Sequence, residues 1–140
     1  EFGEMFSRQT RSLTREADSL RSLAETASLE KEDLEKAAQD LPIIRIVDTL
    51  LKHAILQRSS DIHVEPLEKE VVVRYRIDGI LREAMVLPKA VHQGIIARIK
   101  VLSNLKLDEH RLPQDGRFKV ETDDYKYSVR VSVLPIFDGE

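Results

Sequence analysis

Two arginines that bracket a tight turn are the residues of this 140-residue sequence most suited to specific chemistry. In "HRLPQDGRFKV", residues 110–120, Arg111 and Arg117 flank a Pro-Gln-Asp-Gly turn, and a strand begins on the second of them. Further on, "DDYKYSVRVSV" (123–133) alternates apolar and polar residues as a half-buried strand does. With Asp123-Asp124 as a two-residue hairpin turn, Thr122 faces Tyr125, Val120 faces Tyr127, Phe118 faces Val129 and Arg117 faces Arg130. Phe118, Val120, Tyr127 and Val129 then share a face that packs on helices, and the two arginines share the other. Like charges directly opposite on a sheet are unfavourable by a few tenths of a kcal/mol up to about 1 kcal/mol. An anion has to offset them. A carboxylate of the same hairpin, Asp115 or Glu121, would serve. So would a phosphate, to which paired guanidinium forks are well matched, with Arg111 joining if the "LPQDG" loop folds back over the sheet. The residues alone leave both readings open.

Other candidates are weaker. Asp61, His63 and Glu65 fall on one face of a short strand and offer oxygen and imidazole donors. No second histidine stands at a diagnostic spacing, so they read as a solvated or interface face and no metal site is assigned. His53 lies beside a helical apolar stripe and reads as a surface or boundary residue, while His92 and His110 carry no partner pattern. No catalytic residue is assigned either: "GxSxG" is absent, and none of the five glycines begins "GxxxxGK[ST]" or "GxGxxG". By its own residues the chain holds no nucleotide-hydrolysing machinery.

The elements that must position the arginines follow from periodicity. Asp40 stands where a helix N-cap belongs and Pro42 is tolerated in a first turn. Ile43, Ile46, Val47, Leu50, Leu51 and Ala54 form a helical stripe that should end near Arg58. "SDIHVEP" then alternates as a strand, with Ile62 and Val64 inward. "VVVRYRIDGILREAMV" is a hairpin around Asp78-Gly79, a pair suited to a type I′ turn, and its register sets Arg74 opposite Glu83 and Val73 opposite Ala84. Pro88 opens a second helix, to about Asn104, on the stripe Val91, Ile95, Ile99, Leu102, Leu105. A loop through Pro113 leads to the two strands of the arginine hairpin. The order helix, three strands, helix, two strands predicts an α+β domain with a mainly antiparallel sheet and helices packed on one face.

Composition narrows the function. Residues 1–41 hold six Lys/Arg against ten Asp/Glu, so the remainder is near neutral at 16 against 15, without the basic excess of a nucleic-acid binder. Aromatics make up 5% and Trp is absent, which leaves little for base stacking. Cysteine is absent, so disulfides and thiolate chemistry are excluded. No apolar run approaches a membrane span and no signal-peptide pattern opens the chain, which reads as cytoplasmic. The leading Glu-Phe is what a common restriction site encodes, and Glu1–Gly3 are set aside as a cloning remnant. Residues 4–40 read as a helical connector, either one or two exposed helices or a linker of partial helicity. Leu13, Leu20, Leu23 and Ala27 form one thin stripe; Leu34, Ala37, Ala38 and Leu41 form another, on a helix opening near Ser28.

Taken together, "SSDIHVEP", "VRYRIDGILRE", "RLPQDGRF" and "VRVSVLPIFDGE" resemble the secretion ATPases of bacterial type IV pilus assembly and type II secretion. The likeness is to the N-terminal domain that precedes their motor domain, and it covers about residues 41–140. It implies a PAS-like α+β module within a homo-hexamer that uses ATP and Mg to power pilin or pseudopilin assembly at the cytoplasmic face of the inner membrane, beside platform proteins. It also implies that arginines of the module reach the nucleotide held by the motor domain; on this sequence those are Arg117 and Arg130, then Arg111. "VRVSVLP" is closer in wording to the pilus proteins. The chain ends at "DGE", where such relatives continue into their Walker motifs, so it reads as a non-catalytic fragment without cofactor of its own. The rival to the phosphate role is a docking module whose arginines only make salt bridges.

Overall fold

The computed structural model describes residues 31–140, with side chains from Glu35 onward. The first predicted stripe and the expected helix start near Ser28 lie outside the described residues. Three helices, five strands and one 3-10 turn follow in order: α1 (Lys31–Gln39), α2 (Leu41–Leu56), β1 (Asp61–Pro66), β2 (Glu70–Ile77), β3 (Ile80–Pro88), the 3-10 turn (Lys89–Val91), α3 (His92–Leu102), β4 (Gln114–Glu121) and β5 (Lys126–Val133). All strand pairs are antiparallel. The fold is α+β, and the strands divide into a three-stranded sheet, β1-β2-β3, and a separate two-stranded ribbon, β4-β5.

Helix α2 starts with Asp40 at the N-cap position, backbone extended, and Pro42 in the first turn. The Asp40 side chain makes no capping hydrogen bond; its carbonyl instead accepts from the Ile44 amide at 3.0 Å. The helix is closed by Arg58, which adopts φ 54° while the Ser59 amide bonds back to the Ala54 carbonyl at 2.9 Å. Its apolar stripe is buried as the spacing predicts, and with Val71, Val73, Tyr75, Met85, Leu87, Val91 and Ile95 it makes the core. Tyr75 is buried within it and donates its hydroxyl proton to the Leu50 carbonyl at 3.1 Å, tying β2 to α2. Burial raises the pKa of that phenol.

His53 is also buried, which corrects its reading as a boundary residue. The helices pack on one another as well as on the sheet: α1 lies against α3 and α2, with Ala38 fully covered. His53 lies at the margin of the α2 stripe, three residues after Leu50 and seven after Ile46, and is enclosed with it. Burial lowers the His53 pKa.

The β2–β3 hairpin turns at Asp78-Gly79, with φ 51° and 81°, the left-handed pair that a type I′ turn requires. Arg74 faces Glu83 as the register demands, but a β-bulge follows and Val73 faces Met85, not Ala84. The extra residue, Ala84, shifts the rest of β3 by one position and brings Leu87 opposite Val71, both buried. In the ribbon, Phe118 and Val120 are half-buried against the core and Val133 is buried. Tyr127, expected on that packed face, is 49% exposed, although Val120 opposite it is half-buried.

Candidate functional site

The β4–β5 register is the one the turn chemistry predicts: Val120 faces Tyr127, Phe118 faces Val129 and Arg117 faces Arg130, while the Thr122 amide bonds to the Tyr125 carbonyl at 2.9 Å. The Thr122 hydroxyl accepts from the Asp124 and Tyr125 amides and so holds the Asp123-Asp124 turn. Arg117 and Arg130 are both exposed and stand side by side on the face turned from the core. The carboxylates that would have neutralised them are engaged elsewhere. Asp115 accepts from the Ser132 hydroxyl at 2.6 Å, and Glu121 lies 3.9 Å from Lys126. Among the described residues neither arginine side chain has a hydrogen bond or ion pair. Lys119 and Lys126 share the same face, so its local field is positive.

Arg111 sits in the loop before β4 and is exposed. That loop is a built structure. One carboxylate oxygen of Glu109 accepts from the Arg111 amide (2.8 Å) and the Leu112 amide (3.2 Å), and these two bonds hold the Glu109 carboxyl below its ordinary range. Gln114 pairs with the Lys106 backbone in both directions, accepting at 2.9 Å and donating at 3.0 Å. Among the described residues no contact brings the Arg111 side chain to Arg117 and Arg130.

On the outward face of the three-stranded sheet, Asp61, His63 and Glu65 do share one side of β1, but arginines of β2 take the carboxylates. Arg76 Nε donates to Asp61 at 2.7 Å, and Arg74 lies 3.3 Å from Glu65. His63 is 3.9 Å from Glu65. The face is a neutralised ion-pair ladder.

A second cluster was not legible in the sequence. Lys100 on α3 is 1% exposed, and its ammonium donates to both carboxylate oxygens of Glu140, each at 2.9 Å, and to the Glu109 carbonyl at 3.0 Å. His110 Nδ1 lies 3.1 Å from the same carboxylate, and buried His92 places Nε2 2.7 Å from the Glu140 carbonyl oxygen. Burial lowers the His92 pKa, partly countered by that bond to Glu140. The three partners of Glu140 lie 30 to 48 residues from it, so no local pattern announces them. The one signal is that Lys100 follows Ile96 by a helical turn and so belongs to the apolar half of α3.

A family model described as "Type II/IV secretion system protein" matches residues 36–140. The chain belongs to that family. Its relatives among curated proteins include the type IV pilus assembly ATPase PilB of Myxococcus xanthus, 44% identical over 110 residues that cover 78% of this chain and 19% of the relative. The type II secretion system protein E of Pseudomonas aeruginosa is 42% identical over 111 residues, 79% of this chain and 22% of the relative. The type II secretion system ATPase E of Vibrio cholerae is 38% identical over 125 residues, 89% of this chain and 25% of the relative. This secretion-family chain therefore spans about a fifth to a quarter of the length of these proteins. Both the arginine hairpin and the Lys100 cluster fall inside the matched residues.

Proposed function

We propose that this chain is a non-catalytic module of a longer ATPase that powers pilin assembly in a type IV pilus system, and that Arg117 and Arg130 face the phosphates of ATP bound to the motor domain of that protein. The observation that carries the reading is the directly opposed pair of exposed guanidinium groups, neither of which has an ion pair or hydrogen bond among the described residues. A triphosphate supplies the missing anion in the form that two planar donor forks bind best. Charge placed there would tie the orientation of the module to the nucleotide state of its neighbour. Arg111, on the Glu109-held loop, is the third candidate. ATP and Mg belong to the motor domain, and the surroundings proposed for the parent are a homo-hexamer at the cytoplasmic face of the inner membrane, docked on platform proteins. Among the described residues no helix is long and apolar enough to cross a membrane. The equivalent role in type II secretion is the alternative, since relatives of both kinds match at nearly equal identity.

A docking role is favoured by a different observation. Leu112, Leu134, Ile136 and Phe137 are all at least half exposed and lie around the end of the ribbon where Gln114 faces Val133. The two readings separate in one experiment on the intact ATPase. Arg117→Ala and Arg130→Ala should each lower ATP turnover by about a hundredfold or more, the scale of one lost transition-state charge contact, with hexamers intact. Wild-type turnover in both variants, or loss of assembly with unchanged nucleotide affinity, would reject the phosphate role in favour of docking.

A further inference from the structure

We infer that Lys100 and Glu140 form a latch through which the segment 136–140 holds the loop that carries Arg111, which makes Lys100 a positioning residue for the arginine-bearing side of the module. The functional meaning for Arg111 rests on the phosphate reading above; the mechanical coupling does not.

The segment 136–140 is fixed at several points. Ile136 and Gly139 form an antiparallel bridge, with the Ile136 amide 2.7 Å from the Gly139 carbonyl and the reverse bond at 3.2 Å. Lys89 donates to the Asp138 carbonyl and also to the Leu67 carbonyl in the β1–β2 turn. Gly139 has φ 139°, and a Cβ there would come within 2.7 Å of the His92 ring, so only glycine lets the backbone pass close enough for Glu140 to reach Lys100 and His92.

From Glu140 the connection runs into the loop by two routes. His110 touches its carboxylate directly. Lys100 spends two of its three donors on Glu140 and the third on the Glu109 carbonyl, while the Glu109 side chain fixes the Arg111 and Leu112 amides. Gln114, the first residue of β4 and three positions before Arg117, donates to the same Glu109 carbonyl at 3.4 Å.

The ammonium cannot stay buried without the carboxylate. A carbonyl and the rim of α3 do not balance a full charge in a site that is 1% exposed. Withdrawal of Glu140 therefore drives Lys100 outward, and the Glu109 carbonyl loses its strongest donor. A change in the course of residues 136–140 is transmitted in this way to Arg111, nearly thirty positions earlier in the chain.

The test is amide hydrogen exchange on the 140-residue chain near neutral pH, with Glu140→Ala, Glu140→Gln and Lys100→Met beside the wild type. Glu140→Ala and Lys100→Met should speed exchange at Ile136, Gly139, Arg111 and Leu112 together, by about tenfold, the scale of a lost hydrogen bond to a charged group. Glu140→Gln, which keeps one acceptor, should give a smaller rise at the same amides. Val71, Val73 and Tyr75 in the core strand should be unchanged. Faster exchange confined to Ile136 and Gly139 would overturn the coupling, and so would an equal rise at Val73, which marks a general structural staple. If Lys100→Met does not fold, the two Glu140 variants decide. No nucleotide enters the measurement, so its failure and a failure of the phosphate reading are told apart.

Discussion

On the three-stranded sheet Arg76 lies 2.7 Å from Asp61 and Arg74 lies 3.3 Å from Glu65, whereas on the β4–β5 ribbon Arg117 faces Arg130 and, among the described residues, neither has an ion pair. Both surfaces are outward faces of antiparallel pairs, and both carry acidic residues within reach of basic ones. The first sheet spends its acids on its arginines. The ribbon spends Asp115 on a serine hydroxyl and leaves Glu121 near a lysine at the far end. The first sheet also holds the core with α2, while the ribbon adds to it half-buried Phe118 and Val120, with Val133 buried at the ribbon's end. A region that carries little of the stability can keep an unfavourable charge arrangement, and such a departure from local consistency marks the place where an outside partner is expected.

The contrast is most easily broken by core truncation. Leu87→Ala in β3, where the side chain is 1% exposed, should destabilise the chain by about 2–5 kcal/mol in urea titrations. Val120→Ala in the ribbon should cost roughly half of that or less. Equal losses would mean that the ribbon is as much a part of the core as the sheet.

A second consequence concerns pH. His53 and His92, one on each of the two core helices, both have folded pKa values lowered by burial from the ordinary 6.5. A histidine with a lowered folded pKa contributes its full stability above the unfolded value, and loses it as pH falls toward the folded one. The Tm should therefore drop steadily as pH is taken from about 7.5 to about 5, before most carboxylates titrate. A flat profile over that window would show that these rings accept protons freely in the folded state.

Smaller effects sharpen the charge comparison itself. Arg76→Gln leaves Asp61 without its guanidinium and should destabilise by up to about 1 kcal/mol, less in high salt because the pair is partly solvated. No loss at low salt would place this ion-pair ladder on the same footing as the ribbon.

Legibility in the sequence tracks the range of the interactions involved. The Asp78-Gly79 and Asp123-Asp124 turns fix their hairpins locally, so the pairings Arg74 with Glu83 and Arg117 with Arg130 follow from a few residues each. The bulge at Ala84 carries no glycine to betray it; it arises because Met85 and Leu87 must both turn toward a core built by α2. The division of five strands into a sheet and a separate ribbon is likewise set by tertiary packing. His53 stands three residues after Leu50 and seven after Ile46, at the margin of the buried stripe of α2, and its polar type hid a position that the packing encloses. The Lys100 cluster was out of reach because Glu140, His92 and His110 meet only once α3, the loop and the chain end are in place.

The central claim is that the arginine pair is uncompensated among the described residues, and a double-mutant cycle on Arg117 and Arg130 tests it most directly. At low salt Arg117→Gln and Arg130→Gln should each stabilise the 140-residue chain by a few tenths of a kcal/mol up to about 1 kcal/mol, and the double variant should gain little beyond either single one, because the same repulsion is removed only once. Destabilisation by both single substitutions would show that each guanidinium already has a favourable partner inside the module, and would contradict the account.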